Sequence, residues 1–297
     1  MLHPITFSIP EEKIVRSIPP KQKIVSDLIP GRQETYIYNT ETDYYHEYQK
    51  SYFAVTTKKA GWDCMRHYEI LANGCLPYFP NIEACPTNTM SMFPKPALLE
   101  ANQLYHHFSS KTIEQLTDHD IQTYRNLTTQ FLEYTRNYLT TKALANYILQ
   151  RTGYTSAKRI LYLSGDINPD YLRCVTLHGF KTILGEQCHD YPKVPHIYKS
   201  NPIPHHLLYG RGMTYSNILD ESLHDNARDR TVEDDIRNGY YDIIIYGSYH
   251  RGVPYYDLVS SIYPANKIIL LCGEDIHECN YNQVLERGHH VFVRELG

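Results

Sequence analysis

From residue 4 to residue 96 the apolar positions come in short bursts broken by proline and glycine. Residues 5–9 alternate Ile, Thr, Phe, Ser and Ile before Pro10, residues 23–29 stop at Pro30-Gly31, and residues 52–56 are aromatic and β-branched. Each burst predicts a strand. The period then changes. Cys64, Tyr68 and Leu71 recur at helical spacing, Asp63 suits a first turn, and Asn73-Gly74 is a stop signal, so 63–72 predicts a helix with a short strand at 76–79. Residues 112–151 lose the strand pattern and set Ile113, Leu116, Tyr124, Leu127, Phe131, Leu144 and Ile148 near helical spacing. They predict two or three helices, the longest opening near Asp118 or Asp120, all finished by Gly153.

Beyond them strands and helices alternate. Strands are predicted at 159–164, 182–185, 241–246, 267–272 and 290–294, with helical segments at 169–178, 231–239, 255–263 and 283–287. Residues 186–217, rich in proline and histidine, read as loop. The strands are almost continuously apolar, as in a parallel sheet covered on both faces. The predicted class is therefore α/β, with two Rossmann-like parallel-sheet domains at 1–111 and 155–297 joined by a helical connector at 112–154.

Composition narrows the function. With 297 residues, 42% hydrophobic and 21% charged, the chain is long enough for two cores and is not disordered. A net charge of −4 argues against nucleic acid as a partner. The longest apolar runs, 243–245 and 268–271, are strand-sized and predict no transmembrane segment, and the N-terminus does not resemble a secretory signal. Seven cysteines, an odd number without a Cys-x-x-Cys pair, predict reduced thiols in a cytoplasmic protein. Twenty-eight tyrosines suit sugar stacking, though drift in composition explains them as well.

In open parallel sheets ligands gather beyond the carboxyl ends of strands. Asp166 follows the strand at 159–164, His250 and Arg251 follow 241–246, and Asp275 and His277 follow 267–272, several beside a glycine. Lys58, Lys59, Gly61, Trp62 and Asp63 lie between the strand at 52–56 and the helix carrying Arg66 and Glu69. A helix start already favours an anion, glycine lets a phosphate approach the backbone, and Lys and Arg supply charge. Solvated lysines and an Arg66–Glu69 pair at i, i+3 are the plain alternative.

The block TKKAGWDCMRHYEILANGCLPYF at 57–79 resembles the donor-site block of exostosin-like and related glycosyltransferases of the GT-B fold, in which an Arg, a Glu and a Gly-Cys-x-Pro turn recur in this order. The resemblance extends from about Tyr52 to Tyr105 and is moderately specific. It implies a metal-independent glycosyltransferase taking a UDP- or GDP-sugar as co-substrate, with a glycan or glycoconjugate acceptor. In that reading Arg66 meets the donor phosphates and Glu69 the ribose or sugar. GT-B enzymes place the donor domain second, whereas the donor-like block here comes first, so a circularly permuted order is expected. The catalytic candidates are then Asp166, Asp275 and His250, with His277 also considered and the two aspartates favoured slightly as base. Arg211 and Arg251 could steady the departing phosphate. For each, a satisfied turn residue or surface ion pair is the alternative. Glu274, Asp275, His277 and Glu278 lack the spacing of zinc ligands, so no metal is expected. A non-catalytic nucleotide-sugar or glycan-binding module is the nearest rival, and the absence of Gly-x-Gly-x-x-Gly disfavours a dinucleotide oxidoreductase.

Overall fold

A computed structural model describes residues 1–200, 203–275 and 279–297. The strand β1 (Leu2–Pro4) opens the chain, followed by β2 (Lys23–Val25), helix α1 (Glu41–Gln49), β3 (Ser51–Val55), α2 (Met65–Ala72) and β4 (Leu76–Tyr78). Three helices come next, α3 (Lys95–Ser109), α4 (Asp118–Tyr138) and α5 (Thr141–Thr152). The remainder alternates: β5 (Ile160–Leu163), α6 (Tyr171–Leu184), β6 (Cys188–Tyr191), α7 (Val232–Arg237), β7 (Ile243–Tyr246), α8 (Tyr256–Ile262), β8 (Ile268–Cys272), α9 (Tyr281–Glu286) and β9 (His290–Val293).

The strands form two wholly parallel sheets, one of six in the order β1-β9-β8-β7-β5-β6 and one of three in the order β2-β3-β4. From β5 the chain steps one way to β6 and the other way to β7, β8 and β9, so the order reverses between β5 and β7. A crevice at the carboxyl ends follows from that reversal. Side chains of β5, β7 and β8 alternate between two cores. Ile160, Tyr162, Ile243, Ile245 and Ile269 face α5 and α6, and Leu161, Leu163, Ile244, Ile268 and Leu270 face α7 and α8. The first of these cores runs without a break into the small sheet through Tyr52, Phe53, Tyr68 and Leu76.

Helices α4 and α5 fall within 112–154, where helices were expected. Thr117 caps α4 by accepting from Asp120 N, and Gly153 closes α5 at φ +81°. Tyr124 of α4 donates to Gly74 O beside the small sheet, and Gly179 of α6 lies so near the Thr141 carbonyl that a Cβ would stand 2.1 Å from it. Thus α4 packs on one sheet's layer and α5 on the other's. The chain first crosses between sheets near Ile9, beside this second crossing: Ile9 N donates to Leu139 O and Thr141 N donates to Ile9 O, each at 3.0 Å.

Several elements differ from expectation. The N-terminal strand is 2–4, paired in register Leu2 to Val291 with the last strand, and Ile5, Phe7 and Ile9 alternate only because they line the shared core. Residues 182–185 are not a strand, since α6 runs on to Leu184 and stops at Gly185, φ +57°. The strand lies at β6 instead, within the supposed loop. As an edge strand it pairs on one side only, and its Cys-His-Asp-Tyr sequence has no apolar run to betray it. Helices α1 and α3 lie in stretches where the sequence pattern assigned no element.

Glu47 on α1 shows why part of the small sheet's layer tolerates a buried charge. Its carboxylate sits 2.5 Å from Lys23 Nζ and 2.8 Å from Lys50 Nζ and accepts from Asp27 N and Tyr38 OH. Burial pushes this acid up, but the two lysines and the Asp27 N–H outweigh it and hold it at about 2. With the folded value below the unfolded one, Glu47 stabilises the fold above roughly pH 4.5, and that contribution is lost as pH falls toward 2. Glu47→Gln is accordingly expected to unfold at lower urea than wild type at pH 7, with the gap closing below pH 4.5. A gap independent of pH would exclude this account.

Candidate functional site

The crevice predicted by the strand order is lined by charged groups that hold one another. Asp170 caps α6, accepting from Arg173 N at 2.9 Å with one carboxylate oxygen and from Ser248 Oγ at 2.8 Å with the other. Arg251 Nε stands 3.2 Å from Asp170 and Arg251 Nη1 3.5 Å from Asp166. Arg173 is fully buried and donates to Asp166 O at 2.8 Å, to Asp166 Oδ1 at 3.1 Å and to Asn168 O. Burial opposes ionisation of Asp166, but the Asn168 and Arg173 hydrogen bonds prevail and hold its carboxyl below the usual range. Glycines at these strand ends have packing reasons: a Cβ at Gly165 would meet the Arg251 carbonyl at 2.5 Å, and one at Gly247 the Tyr162 ring at 2.4 Å.

His250 is the group with chemistry to spare. Its Nε2 lies 2.6 Å from Glu274 Oε1 and 3.8 Å from Asp170 Oδ2, yet among the described residues neither ring nitrogen has a partner in hydrogen-bond geometry. Burial lowers its pKa, against the pull of Asp170 and Glu274. A neutral imidazole beside a carboxylate is a base with its conjugate acid supported.

The block at 58–69 is arranged differently from a bare phosphate cradle. Lys58 and Lys59 are exposed, Lys58 over the Trp62 ring at 5.2 Å and Lys59 donating to Tyr209 OH at 3.0 Å, a bond that raises its pKa. The N–H groups of Trp62 and Asp63 are already taken, each donating to the Glu295 carboxylate at 3.0 Å. Gly61 lies against the same group, where a Cβ would meet Glu295 Oε1 at 2.5 Å. The site does attract an anion, and the chain's own C-terminal segment supplies it. Asp63 turns inward, accepting from Phe7 N at 2.7 Å and Tyr68 OH at 2.8 Å, and burial lifts it to about 6 although Arg294 opposes the shift.

Arg66 and Glu69 do not pair with each other as a helix-surface ion pair. Arg66 donates to Thr56 Oγ1 and Thr57 O at 3.0 Å and to Tyr36 OH at 3.3 Å, which fixes it at the carboxyl end of β3. Glu69 is buried, accepting from Tyr44 OH at 2.7 Å and Thr214 Oγ1 at 2.5 Å, and burial raises its pKa. Thr214 brings in the segment 209–217, which runs from the large sheet's side into the space between the sheets. Tyr45 bonds Thr214 from the small sheet's side, and Tyr209 stands 5.5 Å from Tyr171, the first residue of α6. Gly210 and Arg211 turn through φ +55° and +57°, leaving Arg211 half-buried and, among the described residues, without an ion pair.

The sequence candidates therefore fall into two groups on one seam. Asp166, His250 and Arg251 meet at the switch point. Lys59 and Arg66 stand beyond the carboxyl end of β3, with Gly61, Asp63 and Glu69 buried behind them, and Arg294 joins this group to Asp275 by contacts with both Asp63 O and Asp275 Oδ1. His277 and Glu278 lie outside the described residues. Asp170, Arg173, Ser248, Glu274 and Glu295 were not singled out as part of this site. Asp170 carried a legible signal, a capping Asp after Asn168-Pro169, whereas nothing in the sequence places Glu295 beside Gly61. A hollow of about 580 Å³ lies at the opposite ends of the strands, near Lys158, Arg159, Asp242 and Lys267. It is remote from the switch point, and Asp242 there accepts from the Lys158 and Arg159 backbone.

The thiols depart from expectation in one place. Cys272 at the end of β8 is disulfide-bonded to Cys279, Cα atoms 6.2 Å apart, and the other five are free. Neither the odd count nor the spacing of the cysteines reveals this pairing. No helix among the described residues is long and apolar enough to cross a membrane. No family model matches the chain, and neither curated proteins nor solved structures yield a match.

Proposed function

We propose that this protein is a glycosyltransferase of GT-B type in circularly permuted order, moving a sugar from a nucleotide donor to a hydroxyl acceptor without a metal in the transfer step. One observation carries the reading: the carboxyl ends of two parallel sheets meet at a single seam with cations on one wall and a histidine–carboxylate pair on the other. Lys59 and Arg66 stand on the first wall, and Arg251 and His250 with Glu274 stand at the second. The permuted order draws support from the first strand, β1, lying beside the last, β9, in the large sheet.

In the inverting form of the reaction His250 takes the proton of the acceptor hydroxyl. The freed oxygen attacks the anomeric carbon, and the bond to the donor phosphate breaks. The nucleoside diphosphate leaves with its charge held by Lys59, Arg66 and Arg211. A donor would enter by displacing the 209–217 segment, freeing one oxygen of Glu69 for a ribose or sugar hydroxyl.

A second reading has its own observation. Because Glu295 already fills the N–H groups at Trp62 and Asp63, the fold could hold a nucleotide sugar or glycan without turning it over. Thermal unfolding with UDP-, GDP- and CMP-sugars tests the shared premise. At about 100 times the dissociation constant a true donor adds about 2.7 kcal/mol, and Arg66→Ala is expected to abolish that shift. If none of the sugar nucleotides shifts the wild-type transition, the transferase reading and the nucleotide-sugar form of the second reading both fall.

A further inference from the structure

Away from the seam, the edge strand β6 brings together a set of side chains that the transfer reading does not use. His189 lies opposite Leu161 in the sheet and is only 1% exposed. Among the described residues neither of its ring nitrogens has a hydrogen-bond partner. That is unusual for a buried imidazole, which gives up water at both nitrogens and normally finds a replacement. What its Nε2 does face is the Asp229 carboxylate, with Oδ1 3.3 Å away. His224, also buried, sets its own Nε2 3.1 Å from the other oxygen of Asp229. The three donor atoms lie within 4.8 Å of one another.

Each imidazole approaches its Asp229 oxygen at a spacing that fits a shared coordination shell, and all three donors are close enough to close on one ion. An ion bound tetrahedrally at about 2.0–2.1 Å from N and O ligands holds them about 3.3 Å apart. A hydrogen-bonded chain from Asp190 through His224 to Asp229 accounts for His224 but leaves His189 with nothing. The support behind His224 also fits a ligand. Its Nδ1 is 2.9 Å from Asp190 Oδ1, and Asp190 is steadied by Lys181 Nζ and Tyr198 OH, each at 2.8 Å. A carboxylate behind a ligating imidazole fixes the tautomer, leaving Nε2 with its lone pair toward the ion.

We propose that His189, His224 and Asp229 bind one divalent cation of the zinc class, with Asp190 orienting His224. Two imidazoles and one carboxylate select zinc, cobalt or nickel over magnesium and calcium, which prefer all-oxygen shells. The Asp229 side chain is 29% exposed, so the fourth position opens toward solvent and takes a water. The ion ties β6, which among the described residues has no strand on its outer side, to the 219–231 segment that supplies His224 and Asp229. It sits beside the middle of β6, away from the strand ends where transfer is placed, and stands or falls independently of that reading.

Titrating metal-stripped full-length protein with Co²⁺ and recording the visible spectrum tests the site. The expected result is one equivalent bound with the ligand-field bands of a four- or five-coordinate ion, bleached by Zn²⁺ and untouched by Mg²⁺. His189→Gln and Asp229→Asn are each expected to weaken binding on the order of 100-fold, at or beyond the loss usual for a residue behind a ligand. Circular dichroism of the stripped variants checks that each is folded, and if His189→Gln is not, Asp229→Asn decides. Absence of the bands in wild type, or folded variants that bind cobalt as wild type does, overturns the proposal.

Discussion

Arg294→Ala is expected to lose about 3–5 kcal/mol of stability, the usual consequence of removing one partner from a buried ion pair. The Arg294 side chain is 0% exposed, and its guanidinium serves five acceptor groups or rings at once. It contacts the Asp63 carbonyl, the Asp275 and Glu295 carboxylates and, at 3.0 Å, Gly273 O, with the Phe7 ring 4.4 Å below. Alanine leaves Glu295 and the nearby Asp63 carboxylate buried without their cation, and it opens the contact between the end of β9 and the loop before α2. Arg294→Lys keeps the charge but loses the planar fork, so an intermediate loss is expected. Urea unfolding monitored by fluorescence and by far-ultraviolet circular dichroism measures both. A loss below about 1 kcal/mol for the alanine variant, the scale of an exposed pair, would show that Arg294 does not hold the two sheets together.

The second large effect concerns chemistry. His250→Gln is expected to slow sugar transfer by roughly 10²–10⁴, the range for losing a general base, while leaving the thermal shift by the donor intact. Of the three residues favoured from sequence, Asp166 is committed to Arg173 and Asn168 and Asp275 to Arg294, whereas among the described residues His250 keeps both ring nitrogens outside any hydrogen bond, with Glu274 beside Nε2. A transfer rate unchanged by His250→Gln moves the base elsewhere. Loss of donor binding along with rate would make His250 a positioning group instead.

Much of the architecture was legible because local patterns and burial coincide. Ile243–Tyr246 and Ile268–Cys272 are buried on both faces and hence apolar throughout, and Thr117 and Gly153 announce the limits of the helical connector. α3 was missed, although Pro96 stands in its first turn and Leu98, Ala101 and Phe108 recur at helical spacing. β6 was not legible, since an edge strand whose middle residues are a histidine and an aspartate has no hydrophobic signature.

The candidate site divides along the same line. The sequence by itself determined which residues stand at strand ends: Lys59, Asp166, His250, Arg251 and Asp275 follow strands by simple alternation of elements. Their partners came only with the tertiary structure, through contacts between residues far apart in the chain. Glu295 reaches Gly61, Thr214 reaches Glu69, and Asp229 reaches His189. Secondary structure follows from the hydrophobic period and the capping of a few neighbouring residues. Which charge is neutralised, which carboxylate fills an anion site and which imidazole is left without a partner depend on distances that exist only once the sheets have packed.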